Sequence, residues 1–278
     1  MKSHSKLWKP FYFAVLLLLI AVFLFSAYML IRYYSESQKS KQTYQALSDL
    51  RSNYTRPATE SLPQDHTGTE PSVHLATATD PDTGLSTEVL PELAALYSLN
   101  PDLVGWLSIP GTIVDYPVVQ RKSEKDYYLY RDFYGNSSSY GCLYAREDCD
   151  VSTPSDNVII YGHRMKDQSM FGQLGSYEKE DFWQEHQFLY FDTLTERHTY
   201  QVICVFSLST SNGAGFPYHL FVEAASKEAF QTYLENCAAH QLYDTGPTAQ
   251  YGDKLLSLST CEYSHEGGRL VVVAKRID

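Results

Sequence analysis

The sequence predicts a mainly β domain with one helix before the strands and a longer helix among them, preceded by a single apolar helix that can cross a membrane. Short apolar or alternating runs recur between turn signals after residue 100, which is typical of an antiparallel barrel or sandwich. Residues 11–31 contain no charged side chain. A helix of that length spans about 30 Å, the thickness of the hydrocarbon core of a bilayer.

The apolar run is interpreted as an uncleaved membrane anchor. A signal peptide also has a basic start and an apolar stretch, but its apolar core is usually shorter, and no small-x-small cleavage site follows residue 31 here. Three lysines and no acid lie within residues 1–10, which favours a cytoplasmic N-terminus, although Arg32 and two later lysines weaken that bias. We therefore expect a single-pass protein of the cell membrane whose later residues lie outside the cell.

Charge and cysteine content exclude other classes. The net charge is -11 and the isoelectric point is about 5.2, and no block rich in lysine or arginine occurs, which argues against a nucleic-acid partner. Five cysteines cannot all pair within one chain, so at least one is free or pairs between chains. Cys142 and Cys149 are the closest pair, and a disulfide between them stays open. No CxxC occurs, and the sequence indicates neither a metal site nor a cofactor.

Composition divides the chain into four parts. Residues 1–10 form the predicted cytoplasmic tail and residues 11–31 the anchor. Residues 32–88 are predicted to be an extracellular stalk and flexible linker, because Ser, Thr and Pro dominate residues 54–87 and cannot bury enough apolar surface to offset the entropy of ordering. Residues 89–278 are globular in composition and long enough for one core.

Three helical segments are predicted within the globular part. Ser86 or Thr87 can cap a short helix that ends near Ser98. Residues 169–174 are predicted to form one turn, and residues 227–240 carry apolar side chains at helical spacing after a Ser226 cap.

Eight runs are predicted to be strands. They are residues 104–109, 113–119, 141–145, 158–161, 188–192, 198–208, 255–260 and 270–274.

The last two predicted strands form a hairpin that brings a thiol and a guanidinium close together. Gly267 and Gly268 favour a chain reversal between them. Cys261 ends the first strand and Arg269 begins the second, so the two residues are expected on neighbouring strands near the same end. Strand alternation puts Cys261 on the polar face, opposite the face of Leu258, which suits a cleft rather than a core.

A cysteine nucleophile requires a partner, because only the thiolate attacks and a free thiol is mostly protonated at neutral pH. Histidine is the usual partner. Of nine histidines, His163 is preferred, since it follows a buried-looking strand and Gly162 lets the backbone turn where a side chain projects into a cleft. A histidine that only caps a turn is the alternative.

Four segments, in order, resemble those of class B sortases. Residues 157–171, with His163, resemble the family's catalytic-histidine segment. Residues 258–261 with Arg269 and the following valines are similar to its nucleophile hairpin, and residues 100–120 and 127–135 are similar to its opening segments. Two positions depart from the pattern: Ser257 replaces a threonine, and Arg164 follows the histidine.

The resemblance implies a closed β-barrel of about eight strands and a cysteine transpeptidase, classified among the cysteine peptidases of EC 3.4.22. Cys261 would attack the carbonyl after a Thr or Ser in the C-terminal sorting signal of a surface protein and leave a thioester. His163 would act as general acid and then base. Arg269 would stabilise the oxyanion or hold the substrate backbone. The acceptor would be a peptidoglycan peptide amine.

Other residues and other functions stay open at this stage. Tyr161, Ser259 and Glu262 flank the catalytic candidates and are expected to line the substrate groove. A buried structural cysteine and a surface ion pair are the alternatives for Cys261 and Arg269. A non-catalytic exported binding module on the same barrel and a hydrolytic cysteine protease are the alternative functions.

Overall fold

The computed structural model describes residues 8–54, 77–79, 86–209, 216–262 and 268–278. The chain divides into two compact units, residues 1–43 and residues 44–278. Residues 55–76 and 80–85 of the predicted stalk and linker lie outside the described residues. Cys261 and Glu262 are placed through their backbone alone, and their side chains lie outside the described part.

A long helix, α1 (Trp8–Tyr54), contains the predicted anchor. The side chains of residues 11–31 are almost all exposed, although nearly all are apolar. A helix that is apolar on every side is typical of a membrane span or of a helix buried in a protein core. Within the described residues, α1 is the helix with the length and composition to cross a bilayer.

The end of α1 belongs to the second unit and packs on the barrel. The hydroxyl of Tyr44 donates a hydrogen bond to the carbonyl of Gly141 at 2.6 Å, and both Tyr44 and Leu47 are buried. Arg51 forms an ion pair with Asp192 at 2.6 Å and lies 5.0 Å from the ring centre of Trp106. The helix therefore ends as a part of the globular unit.

Two short strands lie within the predicted linker. β1 (Thr77–Thr79) and β2 (Ser86–Glu88) pair antiparallel. The predicted helix cap at Ser86 or Thr87 is therefore wrong. The helix that follows, α2 (Pro91–Leu99), begins after Leu90, because a proline suits the first helical position, where no backbone N–H is needed.

Eight strands close into a barrel, which confirms the predicted fold class and decides between barrel and sandwich. Its strands are β3 (Leu103–Ser108), β4 (Asp115–Val119), β5 (Leu143–Ala145), β6 (Asn157–Gly162), β7 (Phe188–Thr193), β8 (Arg197–Ser209), β9 (Leu255–Glu262) and β10 (Gly268–Arg276). Their order around the barrel is β10, β8, β7, β3, β4, β5, β6, β9. Each coincides with one predicted run. Two pairings, β4 with β5 and β6 with β9, are parallel.

The longer inserted helix is α4 (Lys227–His240), as predicted, and the side chain of Ser226 accepts a hydrogen bond from the backbone N–H of Ala229. A second helix, α3 (Glu180–Glu185), was not predicted, because it is barely longer than one turn. The predicted turn at residues 169–174 lies slightly later, as a 3₁₀ segment at Gln173–Glu178.

Apolar side chains pack on both faces of β9 and β10. Leu256, Leu258 and Val272 lie in the barrel interior. On the outer face, Val271 and Val273 pack with side chains of α4 in a second cluster. Because α4 covers only part of this outer face, the ends of β6, β9 and β10 border a cavity instead.

Candidate active site

A cavity of about 260 Å³ lies at the ends of β6, β9 and β10. Its lining includes Leu129, Tyr161, His163, Tyr218, Ser259 and Arg269. The sequence predicted Tyr161, His163, Ser259 and Arg269 as site residues, so four of the six candidates lie at one cavity.

The strand register brings Cys261 next to the other two catalytic candidates. β6 and β9 are parallel, with Gly162 opposite Thr260, so the next position on each chain puts His163 beside Cys261. β9 and β10 are antiparallel, with Cys261 directly opposite Arg269. Cys261 therefore occupies the middle of three adjacent strands, with a candidate partner on each side.

Strand alternation places these three positions on the outer face of the barrel. Ser257 donates a hydrogen bond to the side chain of Asn157 at 2.8 Å, and Ser259 contacts the hydroxyl of Tyr218 at 2.7 Å, both outside the barrel wall. Leu258, between them, is buried in the interior core. Cys261 follows Ser259 by two residues and shares its face.

His163 is positioned by a glycine and by a backbone carbonyl. A Cβ atom at Gly162 would lie 2.4 Å from Leu143 and 2.7 Å from Phe171, so only glycine fits immediately before the histidine. The Nε2 atom of His163 lies 2.6 Å from the carbonyl oxygen of Leu129. Because a carbonyl only accepts, Nε2 carries a proton, and Nδ1 is the nitrogen that can gain or lose one.

The surroundings keep His163 neutral. Burial lowers its pKa below the ordinary value of 6.5, the hydrogen bond to Leu129 opposes this shift, and the positive charge of Arg269 lowers the pKa further. The ring of Tyr130 packs on the imidazole with 5.3 Å between ring centres. The resting imidazole is therefore poised to accept a proton.

Arg269 supplies positive charge to the cavity. Its side chain is half-buried, and Nη1 donates a hydrogen bond to the carbonyl of Gly268 at 3.1 Å. Its charge also contributes to the lowered pKa of His219, after burial and the charges of Arg146 and Lys125. A guanidinium at this position favours a negative charge that develops nearby.

The other four cysteines are buried and free, so Cys142 and Cys149 are not joined by a disulfide. Burial raises the pKa of both thiols to about 12, and burial also raises the pKa of Cys237. These three thiols stay protonated at neutral pH and are poor nucleophiles.

Two of the three expected groove residues are described in full. Tyr161 is half-buried, and burial raises the pKa of its phenol. Ser259 is buried and holds Tyr218 through the contact described above. Glu262 pairs with Gly268 through its backbone.

The lining residues that the sequence did not single out include Leu129, Arg146, Tyr218 and His219. They reach the cavity from segments that are distant from the hairpin along the chain. A signal was absent because a tyrosine among 23, or a leucine in an aromatic run, has no local pattern that marks it as part of a cavity.

The closed barrel and the cavity at its strand ends define the class, a barrel enzyme with its site at strand ends. A Sortase domain model matches residues 107–277. Sortase B of Listeria monocytogenes is 30% identical over 182 residues, which cover 65% of this chain and 72% of that protein. Sortase B of Staphylococcus aureus is 26% identical over 278 residues, which cover 97% of this chain and 98% of that protein.

A solved structure agrees with these relatives. The crystal structure of sortase B from B. anthracis in complex with AAEK2 matches with a TM-score of 0.67 at 30% identity, and covers 87% of this chain and 97% of that one. The chain belongs to the sortase family, in its class B. It is a cysteine transpeptidase, of a family that acts on surface proteins with sorting signals and on cell-wall amine acceptors.

Proposed function

We propose that Cys261 is the nucleophile of this transpeptidase and that His163 and Arg269 act with it. The observation that carries the proposal is the register of three adjacent strands, in which Cys261 lies opposite Arg269 and beside the position of His163. The high pKa values of three buried thiols support the choice of Cys261 by contrast.

The first half-reaction forms a thioester. The thiol proton of Cys261 passes to Nδ1 of His163. The sulfur then attacks the carbonyl carbon of a Thr or Ser in the sorting signal. Arg269 stabilises the oxyanion or holds the substrate backbone. His163 then donates its proton to the departing amine, so the C–N bond breaks and the C-terminal part of the substrate leaves.

The second half-reaction joins the substrate to the cell wall. The incoming amine of a peptidoglycan peptide attacks the thioester, and His163 accepts a proton from it. The C–S bond breaks, and the sulfur of Cys261 takes the proton from His163, which restores the thiol and the neutral imidazole. Attack by water would give hydrolysis, the activity by which thiol peptidases of EC 3.4.22 are classified.

The proposed topology places this chemistry outside the cell. Residues 1–10 would be the cytoplasmic tail, residues 11–31 the single membrane span, residues 32–88 the stalk and linker, and residues 89–278 the extracellular catalytic domain. The exposed apolar surface of residues 11–31 and the three lysines before them support this orientation.

The test uses the full chain in detergent micelles. Fluorogenic peptides are taken from Pro/Thr-containing signals at the C-termini of host surface proteins, and are supplied with or without a short peptide that carries a primary amine. We expect cleavage after Thr or Ser and a ligated product only when the amine is present. Cleavage with no ligated product at any amine concentration would indicate a hydrolytic protease, and binding with no cleavage would indicate a binding module.

A further inference from the structure

The 3₁₀ segment Tyr218–Leu220 forms one wall of the cavity. Tyr218 fastens it to β9 through the 2.7 Å contact with Ser259, two residues before Cys261. Just beyond it, the side chain of Asn157 donates a hydrogen bond to the carbonyl of Phe221 at 2.9 Å, at the start of β6. Between these two attachments, the carbonyl of His219 accepts a hydrogen bond from a third segment of the chain.

The group that holds His219 is the guanidinium of Arg146, whose Nη1 donates a hydrogen bond to that carbonyl. The remaining donors are aligned by Asp148, which accepts from Nε at 2.6 Å and from Nη2 at 2.9 Å. A bidentate pair of this kind fixes the plane of a guanidinium. Arg146 therefore joins two segments that are 73 residues apart in the chain.

The backbone of Arg146 is itself fixed to the barrel. Its N–H donates to the carbonyl of Ile159 on β6 at 2.9 Å. Its carbonyl accepts a hydrogen bond from the side chain of Gln120 at 2.6 Å, and Gln120 is buried. The guanidinium thus extends from a backbone that is fixed after the end of β5 to the Tyr218–Leu220 segment.

Arg146 also lies close to the expected substrate surface. It lines the cavity, and its charge interacts with the hydroxyl of Tyr161 on β6. Because Nε, Nη1 and Nη2 each donate to Asp148 or His219, these bonds fix the side chain in one orientation, which suits a residue that shapes the cavity.

We propose that Arg146 is a positioning residue that holds the Tyr218–Leu220 wall against the barrel and so sets the affinity for the sorting signal. This inference rests on the proposed function, since it requires the sorting signal to occupy the cavity. Loss of Arg146 leaves the site of Cys261, His163 and Arg269 intact. The expected result is weaker binding with chemistry nearly unchanged.

The decisive variant is Arg146→Gln in the full chain in detergent micelles. We expect KM for the fluorogenic signal peptide to rise about tenfold, because a charge-assisted hydrogen bond is lost, and kcat to stay within about twofold. The Kd of the same peptide, measured by fluorescence anisotropy in a Cys261→Ala background, should rise by the same factor. Arg146→Lys, which keeps one donor but not the bidentate pair, should restore part of the affinity.

Two further variants make the test specific. Asp148→Asn leaves Arg146 in place but weakens its alignment, and should raise Kd about threefold. Arg276→Gln is the matched control, because Arg276 also pairs with an aspartate two residues later, Asp278, at 2.9 Å. It should leave Kd and KM unchanged. Equal Kd values for Arg146→Gln and the unchanged chain, or an equal rise in Arg276→Gln, would overturn the proposal.

A structural readout separates this inference from the proposed function. Arg146→Gln should speed the hydrogen exchange of the amides of residues 218–221, while those of β9 stay protected. Faster exchange in an enzyme that binds no signal peptide would refute the proposed use of the cavity and leave the wall contact standing. Unchanged exchange together with unchanged Kd in an active enzyme would refute the role of Arg146 alone.

Discussion

The outer face of β9 has two environments along a single strand. Near Leu255 and Ser257 the face is covered by α4, and the hydroxyl of Tyr233 lies 3.4 Å from Ser257. Two residues further along, at Ser259, the same face borders the cavity. Cys261 is the next position of that face along the strand. The side chains that pack on this face, rather than the strand itself, determine whether a polar group there can react.

Cysteines illustrate this difference. Cys237 lies on α4 and Cys204 on β8, and the Sγ atom of Cys204 lies 3.3 Å from the carbonyl of Cys237 within the covered region. Burial raises the pKa of Cys237, so its thiol stays protonated. The backbone of Cys261 lies near the end of β9 that borders the cavity, with Arg269 opposite it on β10. A thiol packed in a core fills space, whereas a thiol beside a cation in a cleft can react.

The largest effect is expected from removing the proposed nucleophile, the thiol of Cys261. Cys261→Ala should lower the rate of peptide cleavage by about a thousandfold or more, since no other group can form the thioester. Cys237→Ala is the matched control and should retain the activity of the unchanged chain. Initial rates with the fluorogenic peptide check both, and full activity in Cys261→Ala would exclude the mechanism.

Thiol labelling compares the two environments directly. With iodoacetamide at pH 7.5, Cys261 should react at least about a hundredfold faster than Cys142 and Cys149, because their pKa of about 12 leaves almost no thiolate. Peptide mass spectrometry gives the rate at each residue. Labelling of all five cysteines in guanidinium chloride is the control. Similar rates in the folded protein would show that Cys261 is as covered as the others.

Removal of the Arg269 guanidinium should slow the reaction. Arg269→Gln is expected to lower kcat/KM about a hundredfold, since oxyanion stabilisation of this kind contributes about 3 kcal/mol. Arg276→Gln, on the same strand beyond the covered region, should have no effect. Steady-state kinetics at saturating amine check this prediction, and equal values for the two variants would count against a catalytic role of Arg269.

The same substitution should raise the pKa of His163. Arg269 lowers that pKa, so its loss relieves a repulsion between two positive charges. Because the folded-state pKa lies below the unfolded value of 6.5, protonation favours unfolding. The stability from neutral His163 is therefore complete above that value and is lost as the pH falls below it. NMR titration of the ring protons in a Cys261→Ala background measures the shift, and a lowered pKa would contradict it.

The smallest effect is expected where α4 begins, in the covered region. Ser226→Ala removes the hydroxyl that accepts from the N–H of Ala229 and should lower the free energy of unfolding by about 1 kcal/mol. Peptide cleavage should be unaffected, because the residues that line the cavity are unchanged. Urea denaturation measures the loss. Ser98→Ala, at an exposed position near the end of α2, is the control and should change stability less.

Local patterns predicted most of the fold. All eight barrel strands follow from alternation between turn signals, and α4 follows from a Ser226 cap and a stripe that includes Phe230 and Leu234. The start of α2 was wrong because serine and threonine also suit a short strand, and β2 forms only by pairing with β1. Pairing partners override local preference in such segments.

The site was predictable only in part. A hairpin alone puts Cys261 next to Arg269, because the turn fixes the register. His163, which follows β6, lies beside Cys261 because β6 and β9 pair in parallel, with Gly162 opposite Thr260. These two residues are 98 positions apart, and no local pattern reveals their pairing. Local context already favoured His163 among the nine histidines, and the family resemblance supported that choice. The far wall of the cavity, with Tyr218 and Arg146, depends on loop packing that neither source provided.

The hydrogen bond from His163 to Leu129 does not depend on the side chain of residue 129. Its acceptor is a peptide carbonyl, which every amino acid provides, so a substitution at position 129 alters the shape of the cavity without removing the acceptor. The tautomer of the imidazole is thus a property of the chain path rather than of any one side chain. A substitution at residue 129 is therefore expected to leave the proton on Nε2 in place.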